Sequence, residues 1–299
     1  MGEYETMQKV RKAVIPVAGY GTRFLPYTKA VPKPLLPVLN KPAIQMIAEE
    51  VADSGIEEIL FIVGYKKDII ESHFDSAPEL EKVLEEKGKF DFLTAIKKPQ
   101  NMAEFTYIIQ EVQNGTASAV ALAEKFVNGE PFAVLFGDDV MYTDSERPVI
   151  GQLVDVYEKY GKTVLGCKRV SYDVISKYAS VEYDKTLEDG VYNMVKVTEK
   201  PKKEEAKSNL APLGRYVCSP DIFDIIRSLK PGANNEYQFT DALDEEARKN
   251  GALAYVFNGT RYDMGDRLGY LKANVEYGLR DEELGEKLKA YLKELVKDF

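Results

Sequence analysis

Glycines and positive charges are concentrated directly after the first apolar segment of the chain. Residues 13–17 form a short apolar run, and the turn that follows contains Gly19, Gly21 and Arg23. Lys29, Lys33 and Lys41 come next. Glycines in such a turn let backbone N–H groups approach a phosphate closely. The turn lacks the third glycine of a dinucleotide-binding motif and the Gly-Lys-Thr of a P-loop. From these residues alone, a polyphosphate clamp and a solvated basic loop both remain open.

Two adjacent carboxylates, Asp138 and Asp139, follow a second apolar run at residues 132–136. In open α/β sheets, ligands bind beyond the carboxyl ends of the strands. Carboxylates at such a position suit Mg²⁺, which prefers oxygen ligands and can hold phosphate oxygens beside them. An acidic turn is the alternative interpretation, because aspartate is common in turns after strands.

Two segments in the second half of the chain carry groups of the same kinds. Glu199 and Lys200 are adjacent. A glutamate can accept hydrogen bonds from sugar hydroxyls, and a lysine can neutralise a phosphate. Asp263 lies in an acidic segment with a glycine, residues 262–266. A surface ion pair and a simple turn are the preferred explanations of these segments when each is taken alone.

The composition restricts the chemistry that the chain can use. The 299 residues carry 40 Lys and Arg against 49 Asp and Glu, a net charge of −9 that argues against broad nucleic-acid binding. No apolar run reaches about 18 residues, and the polar segment 1–11 does not resemble a secretory signal. The cysteines are Cys167 and Cys218 and the one histidine is His73, too few for a disulfide framework or a zinc site. We therefore expect a cytoplasmic protein whose chemistry uses carboxylates, amines, guanidinium groups and a hard metal.

Apolar strand-like runs alternate with helical patterns, which predicts a mostly parallel sheet with helices on both faces. A helix is predicted from Pro42, because apolar residues follow it at the spacing of one helix face. Two predicted antiparallel strands, 179–183 and 191–199, flank a turn at Asp189 and Gly190. The other predicted strands are 13–17, 59–63, 92–96, 107–112, 132–136 and 163–170, and the other predicted helices are 68–74, 78–87, 117–126, 149–160, one from Ser219 and one over 281–296.

Several short segments, taken in order, resemble those of the bacterial UTP–glucose-1-phosphate uridylyltransferases, which are sugar nucleotidyltransferases. The longest is KAVIPVAGYGTRFLP at residues 12–26, which contains the glycine turn. The resemblance covers nearly the whole chain, and a set of small motifs in fixed order is more specific than any one of them. The remaining segments are 28–33, 40–45, 70–75, 199–201, 208–211, 214–217, 238–242 and 265–270.

This resemblance implies an α/β fold with a Rossmann-like mixed, mostly parallel sheet flanked by helices, a small antiparallel region at the sugar site and a C-terminal helix. It implies one domain over residues 1–299, with a nucleotide-binding half over about 9–140, a sugar-phosphate-binding half over about 141–280 and a terminal helix over 281–299. The implied reaction transfers UMP from UTP to glucose 1-phosphate, giving UDP-glucose and pyrophosphate, with Mg²⁺ as cofactor. The implied assembly is a homodimer or homotetramer, without nucleic-acid or membrane partners.

The resemblance also assigns roles to residues of this sequence. Arg23, Lys33 and Lys200 are the implied catalytic cations, and Asp138 and Asp263 are the implied metal ligands. The implied nucleotide-binding residues are Ala18, Gly19, Gly21, Thr22, Gln110, which would read the uracil edge, and Gly115. The implied residues at the sugar phosphate are Ala179, Glu199, Lys200 and Gly214.

Four residues depart from the family pattern at positions that we expect to face the ligands. Pro34 stands where the family has a carboxylate, Ala117 and Ala179 replace glycines, and Ser118 replaces a histidine. These changes leave two alternatives open: transfer with another nucleotide or sugar 1-phosphate, and a regulatory protein that binds a UDP-sugar with little turnover. The retained aspartates and cations favour an enzyme over the regulatory protein.

Overall fold

A nine-stranded sheet forms the centre of the computed structural model, which describes residues 9–232 and 235–298. Numbered in chain order, its strands lie in the spatial order β5 (Glu104–Ile109), β4 (Glu58–Val63), β1 (Lys12–Pro16), β6 (Phe132–Leu135), β11 (Leu210–Cys218), β8 (Thr163–Arg169), β12 (Ala252–Val256), β10 (Val191–Glu199) and β9 (Ala179–Glu188). Strands β11 and β10 run opposite to the others. The sheet is therefore mixed, with most strands pointing the same way.

Two small antiparallel sheets lie beside the large one. Strand β2 (Pro37–Val38) pairs with β3 (Lys41–Pro42), and β7 (Asp139–Tyr142) pairs with β13 (Thr260–Asp263). In the second pair, Asp263 is the register partner of Asp139. This pairing brings a late segment of the chain to the acidic turn that follows β6.

Helices cover both faces of the large sheet, because its inner strands are apolar on both sides. Along β1, Ala13 and Ile15 pack into one core, whereas Val14 packs into the core on the opposite face. Full burial of a side chain such as Ile15 contributes about 1.5–3 kcal/mol. The helices are α1 (Ala43–Ala52), α2 (Lys67–Phe74), α3 (Pro78–Glu86), α4 (Phe90–Lys97), α5 (Thr116–Ala121), α6 (Glu124–Val127), α7 (Val149–Tyr160), α8 (Ile222–Ser228), α9 (Phe239–Lys249), α10 (Arg267–Arg280) and α11 (Gly285–Leu295).

The predicted fold class is confirmed, and helix 149–160 is found with the predicted bounds as α7. The predicted strand 92–96 is wrong, because this segment lies inside helix α4. Phe90 and Phe92 alternate with polar residues, as in a half-buried strand, but their side chains are 61% and 63% exposed on the helix. Apolar alternation misled the prediction because these aromatic residues do not face the core.

Other predicted elements are present with different limits. The single helix predicted over 117–126 is two short helices, α5 and α6. The last helix, α11, begins at Gly285 rather than at residue 281. Cys167 and Cys218 are free and completely buried, so they are small core residues. Within residues 9–232 and 235–298, no helix combines the length and apolarity needed to cross a membrane.

Candidate active site

A cleft of about 400 Å³ opens at the carboxyl ends of β1, β5 and β6, where ligands of α/β sheets bind. Ala18 and Gly19 come from the turn after β1, Gln110 follows β5, and Gly137 and Asp138 follow β6. The volume lies in the range of small-ligand sites. Further lining residues are Lys33, Pro34, Gly115, Phe136, Glu236 and Gln238.

One end of the cleft is shaped by a close backbone approach at Gly115. This residue has a φ of +117°, and a Cβ there would lie 2.3 Å from the Tyr237 carbonyl oxygen. On either side of the contact, the Ala117 N–H donates to Tyr237 O at 2.9 Å and the Tyr237 N–H donates to Asn114 O at 2.8 Å. The loop after β5 is therefore fixed against the segment that leads into α9, with the nearly buried Gln110 at its base.

Cations and carboxylates from distant parts of the chain meet around Asp138, which lines the cleft. Lys33 Nζ lies 2.8 Å from Asp138 Oδ2. A Cβ placed on Gly265 would stand 2.9 Å from Asp263 Oδ1, 3.1 Å from Asp138 Oδ2 and 3.2 Å from Arg23 Nη1. Arg23 Nη1 also donates to the Gly265 carbonyl oxygen at 2.8 Å. Two carboxylates and a guanidinium thus surround one point, with an ammonium next to them.

Asp138 and Asp263 form a donor set that fits a hard divalent cation. Their side chains are 39% and 34% exposed, so water and a ligand can reach both. Among the residues that the structure describes, no three His, Cys, Asp or Glu side chains are grouped as a metal cage. Mg²⁺ commonly binds one or two carboxylates and completes its coordination with water and substrate phosphates. The pair therefore suits a cation that binds together with a phosphate ligand.

Residues 12–279 match the family model described as nucleotidyl transferase, which is most of the chain. The chain belongs to the nucleotidyl transferase family. Within this family, it is 45% identical over 289 residues to a UTP–glucose-1-phosphate uridylyltransferase of Staphylococcus epidermidis, a match that covers 97% of this chain and 99% of that protein. It is also 45% identical over 290 residues to UTP–glucose-1-phosphate uridylyltransferase 2 of Staphylococcus saprophyticus, with the same shares covered.

Solved structures of two relatives have the same fold. A UTP-bound UGPase from Acinetobacter baumannii is 33% identical with a TM-score of 0.89, covering 96% of this chain and 99% of that chain. A UDP-glucose pyrophosphorylase complexed with UDP-glucose is 37% identical with a TM-score of 0.83, covering 91% of this chain and 100% of that chain. The resemblance to this group of nucleotidyl transferases is confirmed.

Charged neighbours set the protonation of the acidic turn in this nucleotidyl transferase. Burial raises the pKa of Asp138, but the ammonium of Lys33 and the guanidinium of Arg261 outweigh burial and hold it below the usual range. Asp139 is 3% exposed, and burial raises its pKa to about 6 even though Arg261 lies 2.6 Å away. Arg261 Nη2 also lies 3.4 Å from Asp263 Oδ2. Asp138 is therefore ionised at neutral pH. Arg261 lies between Asp139 and Asp263 and pairs with both carboxylates.

Glu199, Lys200 and Ala179 form a second group. Glu199 ends β10, pairs in register with Ala179 of β9 and accepts a hydrogen bond from Thr240 Oγ1 at 2.9 Å. Lys200 Nζ lies 3.6 Å from Glu199, and its side chain is 66% exposed. Lys200 has a φ of +43°, a left-handed conformation that is unfavourable for a residue with a Cβ. Such local strain is commonly found at functional sites.

The two groups meet through Arg261. Its guanidinium lies 5.7 Å from the centroid of the Tyr178 ring, next to Ala179, while it pairs with Asp139 and Asp263. Gly214, predicted at the sugar phosphate, is buried under Asp139: a Cβ on it would lie 2.1 Å from Asp139 Oδ2. The structure therefore shows Gly214 making room for a carboxylate of the acidic turn.

The predicted site residues occupy different positions relative to the cleft. Gly21 and Thr22 belong to an accessible turn at the start of the short helix Thr22–Phe24. Ala117 was expected to face a ligand, and this expectation is wrong: it lies in α5, and its side chain is completely buried in the core. The predicted residues that line the cleft are Ala18, Gly19, Lys33, Gln110, Gly115 and Asp138.

Sequence reasoning assigned no role to three polar side chains of the cleft. Gln113 Nε2 donates to the Ala18 carbonyl oxygen at 2.6 Å, across the cleft. Gln238 Nε2 donates to Glu236 Oε2 at 2.7 Å. Gln113 and Glu236 lie in loops without a distinctive pattern. Gln238 begins one of the segments that resemble the family, and this was the signal that could have indicated it.

Proposed function

We propose that this chain transfers UMP from UTP to glucose 1-phosphate, giving UDP-glucose and pyrophosphate. The observation that carries the proposal is the convergence of Lys33, Arg23 and Asp263 on Asp138, which lines the same cleft as Gln110. The identity of 45% to a UTP–glucose-1-phosphate uridylyltransferase over nearly the whole chain supports this choice of substrates.

The reaction must bring two anions together, and the cations of the cleft offset their repulsion. Two unit charges 4 Å apart repel by about 4 kcal/mol at an effective dielectric constant of 20, and each phosphate group carries more than one charge. Positioning and electrostatic neutralisation therefore supply most of the catalysis in phosphoryl chemistry of this kind. The attacking phosphate oxygen is already ionised at neutral pH. No protein base is needed, and His73 is engaged with Gln45 at 2.9 Å.

In the proposed reaction, different residues of the site bind the base, the phosphates and the sugar. Gln110 and the backbone at Ala18 contact the base in this proposal, while the glycines after β1 let the triphosphate approach the backbone. Lys33 and Arg23 neutralise the phosphates of UTP. At the opposite side, Glu199 accepts hydrogen bonds from glucose hydroxyls, and the exposed ammonium of Lys200 turns toward the sugar phosphate. In the proposed reaction, the sugar phosphate oxygen attacks the α-phosphorus in line with the leaving pyrophosphate.

Asp138 and Asp263 are the proposed ligands of Mg²⁺. When bound, the ion neutralises phosphate charge and orients the α-phosphate for attack. Lys33 keeps Asp138 ionised, and Arg261 contacts Asp263 through one oxygen, Oδ2. The other oxygen of Asp263, Oδ1, accepts from the Gly265 N–H at 2.8 Å, which fixes the orientation of the carboxylate.

Release of pyrophosphate tests the proposed function. The chain is incubated with UTP, glucose 1-phosphate and Mg²⁺, and we expect release only when all three are present. Panels of other nucleoside triphosphates and sugar 1-phosphates test the choice of substrates. Faster release of pyrophosphate with another pair would show that UTP and glucose 1-phosphate are not the preferred substrates. Tight binding of UDP-glucose without any release would favour the regulatory alternative.

We also propose a single domain that assembles as a homodimer or homotetramer. Pairing of β6 with β11 continues one sheet across the boundary near residue 140, which supports a single domain. Leu268 and Leu271 on α10 are each 59% exposed, as is common where a protein surface is covered by a partner. Sedimentation velocity at micromolar concentration should show a dimer or tetramer, and a monomer would overturn the assembly. Both cysteines are free, which suits the cytoplasm that we propose as the location.

A further inference from the structure

A short hydrogen-bond relay sets the orientation of the Gln110 side chain. Ser118 Oγ lies 2.7 Å from the Gly115 carbonyl oxygen, and Gln110 Nε2 lies 3.3 Å from Ser118 Oγ. A carbonyl oxygen only accepts, so the Ser118 hydroxyl donates its single hydrogen to Gly115. The lone pairs of Ser118 Oγ are then available only to a donor, and the carboxamide nitrogen of Gln110 is that donor.

The relay opposes rotation of the carboxamide by half a turn. After such a rotation, Gln110 Oε1 would face Ser118 Oγ, and two acceptors would oppose each other. Ser118 could turn its hydrogen to Gln110 only by breaking its bond to Gly115. That carbonyl would keep only its longer contact with the Ala119 N–H, at 3.3 Å. The relay thus leaves Oε1 and one N–H of a nearly buried amide for a ligand in the cleft.

We propose that Ser118 is a specificity-determining residue that orients Gln110 for a keto pyrimidine. The inference rests on the proposed function, in which Gln110 contacts the base. Uracil presents an N3–H donor between two carbonyl oxygens, which complements the oxygen and N–H of the oriented amide. Cytosine presents a bare N3 acceptor beside an amino donor, so both contacts become repulsive. A rotated amide would accept cytosine, and the relay disfavours that rotation.

The substitution Ser118→Ala removes the relay without removing the residue that reads the base. Alanine is the most favourable helix residue, so α5 is retained. Without the hydroxyl, the amide can rotate freely between its two orientations. We expect the ratio of kcat/KM for UTP to that for CTP to fall about tenfold, the scale of one hydrogen bond that a site holds in place. The ratio of UTP to dTTP should stay constant, because thymine presents the same N3–H and carbonyl oxygens as uracil.

Ser118→Thr is the matched control, because threonine keeps a hydroxyl that can bond to the carbonyl three residues earlier. This variant should restore the preference for UTP over CTP. If Ser118→Ala lowered the ratio of UTP to CTP and the ratio of UTP to dTTP together, the substitution would have disturbed the whole base site, and this outcome would overturn the proposal. An unchanged ratio of UTP to CTP in Ser118→Ala would overturn it as well.

Calorimetric binding of UTP and CTP, measured without glucose 1-phosphate, separates this inference from the proposed function. A wild-type chain that binds UTP but releases no pyrophosphate would contradict the proposed reaction, and the binding ratio would still test Ser118. A tenfold preference for UTP that is lost in Ser118→Ala supports the inference in either case. Absence of UTP binding by the wild-type chain overturns both.

Discussion

Substitution of Gly265 by alanine places a methyl group at the point where the proposed metal ligands and Arg23 converge. The added Cβ would lie 2.9 Å from Asp263 Oδ1, 3.1 Å from Asp138 Oδ2 and 3.2 Å from Arg23 Nη1. All three distances are shorter than an ordinary van der Waals contact. The three groups sit at the ends of side chains, so each can give way by a few tenths of an ångström.

Displacements of this size matter to a small cation and not to the fold. Mg²⁺ requires near-ideal octahedral geometry, with ligands at about 2.0–2.1 Å. Misplacement of reacting groups by about 1 Å also lowers the rate about a hundredfold. We therefore expect Gly265→Ala to lower kcat roughly tenfold to a hundredfold and to raise the Mg²⁺ concentration needed for half-maximal rate. Stability should change little, because alanine restricts the unfolded chain more than glycine does, and the resulting stabilisation of about 0.4–1 kcal/mol offsets the crowding.

The assay compares pyrophosphate release across a Mg²⁺ titration with thermal unfolding of the same preparations. Gly278→Ala, on α10, is the matched control. Its Cβ would also meet a side-chain carbon, Leu288 Cδ2 of α11, at 2.7 Å, and neither residue lines the cleft. This control should keep the wild-type rate and Mg²⁺ dependence. If Gly265→Ala behaves like the control, the two carboxylates and Arg23 do not act together at this point.

Three further substitutions test the charges of the site and of the core. Lys33→Met should lower kcat about 10²–10³-fold, because the variant loses a preorganised cation at the phosphates, and pyrophosphate release measures the loss. Glu246→Gln should raise the thermal midpoint at pH 7.5. Glu246 is 1% exposed, and burial raises its pKa above 4.5. The wild type therefore loses stability as the pH rises from about 4.5 through the pKa of the folded state, whereas glutamine carries no charge to bury. Arg215→Met should cost about 3–5 kcal/mol in urea unfolding, because it leaves Glu50 buried without its bidentate partner.

Each of these substitutions has its own control. Lys29→Met removes an exposed cation from the same basic segment, and an equal loss of rate there would show that Lys33 acts only through net charge. The stabilisation in Glu246→Gln should vanish below about pH 4, where the wild-type carboxyl is also neutral; a constant gain at all pH values would exclude titration as its cause. The double variant Arg215→Met, Glu50→Leu should recover much of the lost stability, since no charge is then left unpaired.

The strands of the nucleotide half could be predicted because burial on both faces produces continuous apolar runs. Residues 13–17, 59–63 and 132–136 correspond to β1, β4 and β6 within one or two residues. Their ends then located Gly19 and Asp138 at the cleft, since ligands bind where such strands end. Helix α4 at the sheet's edge was harder to predict, because Phe90 and Phe92 are exposed although they are apolar, and they obscure its helical period.

Contacts between distant segments could not be derived from local patterns. Nothing in the sequence around Arg261 indicates that it joins Asp139 to Asp263, because that bridge depends on the pairing of β13 with β7. Likewise, Gly115 shows its need for glycine only against the backbone of Tyr237. The family resemblance supplied Asp263 as a candidate ligand before the structure showed it beside Asp138.

Crystals grown with UDP-glucose and Mn²⁺ would show whether one cleft holds both the nucleotide sugar and the metal. We predict an anomalous manganese peak between the carboxylates of Asp138 and Asp263, with the uracil against Gln110 and the glucose toward Glu199. A manganese peak away from both aspartates, or UDP-glucose bound outside the cleft, would show that this cleft is not the active site.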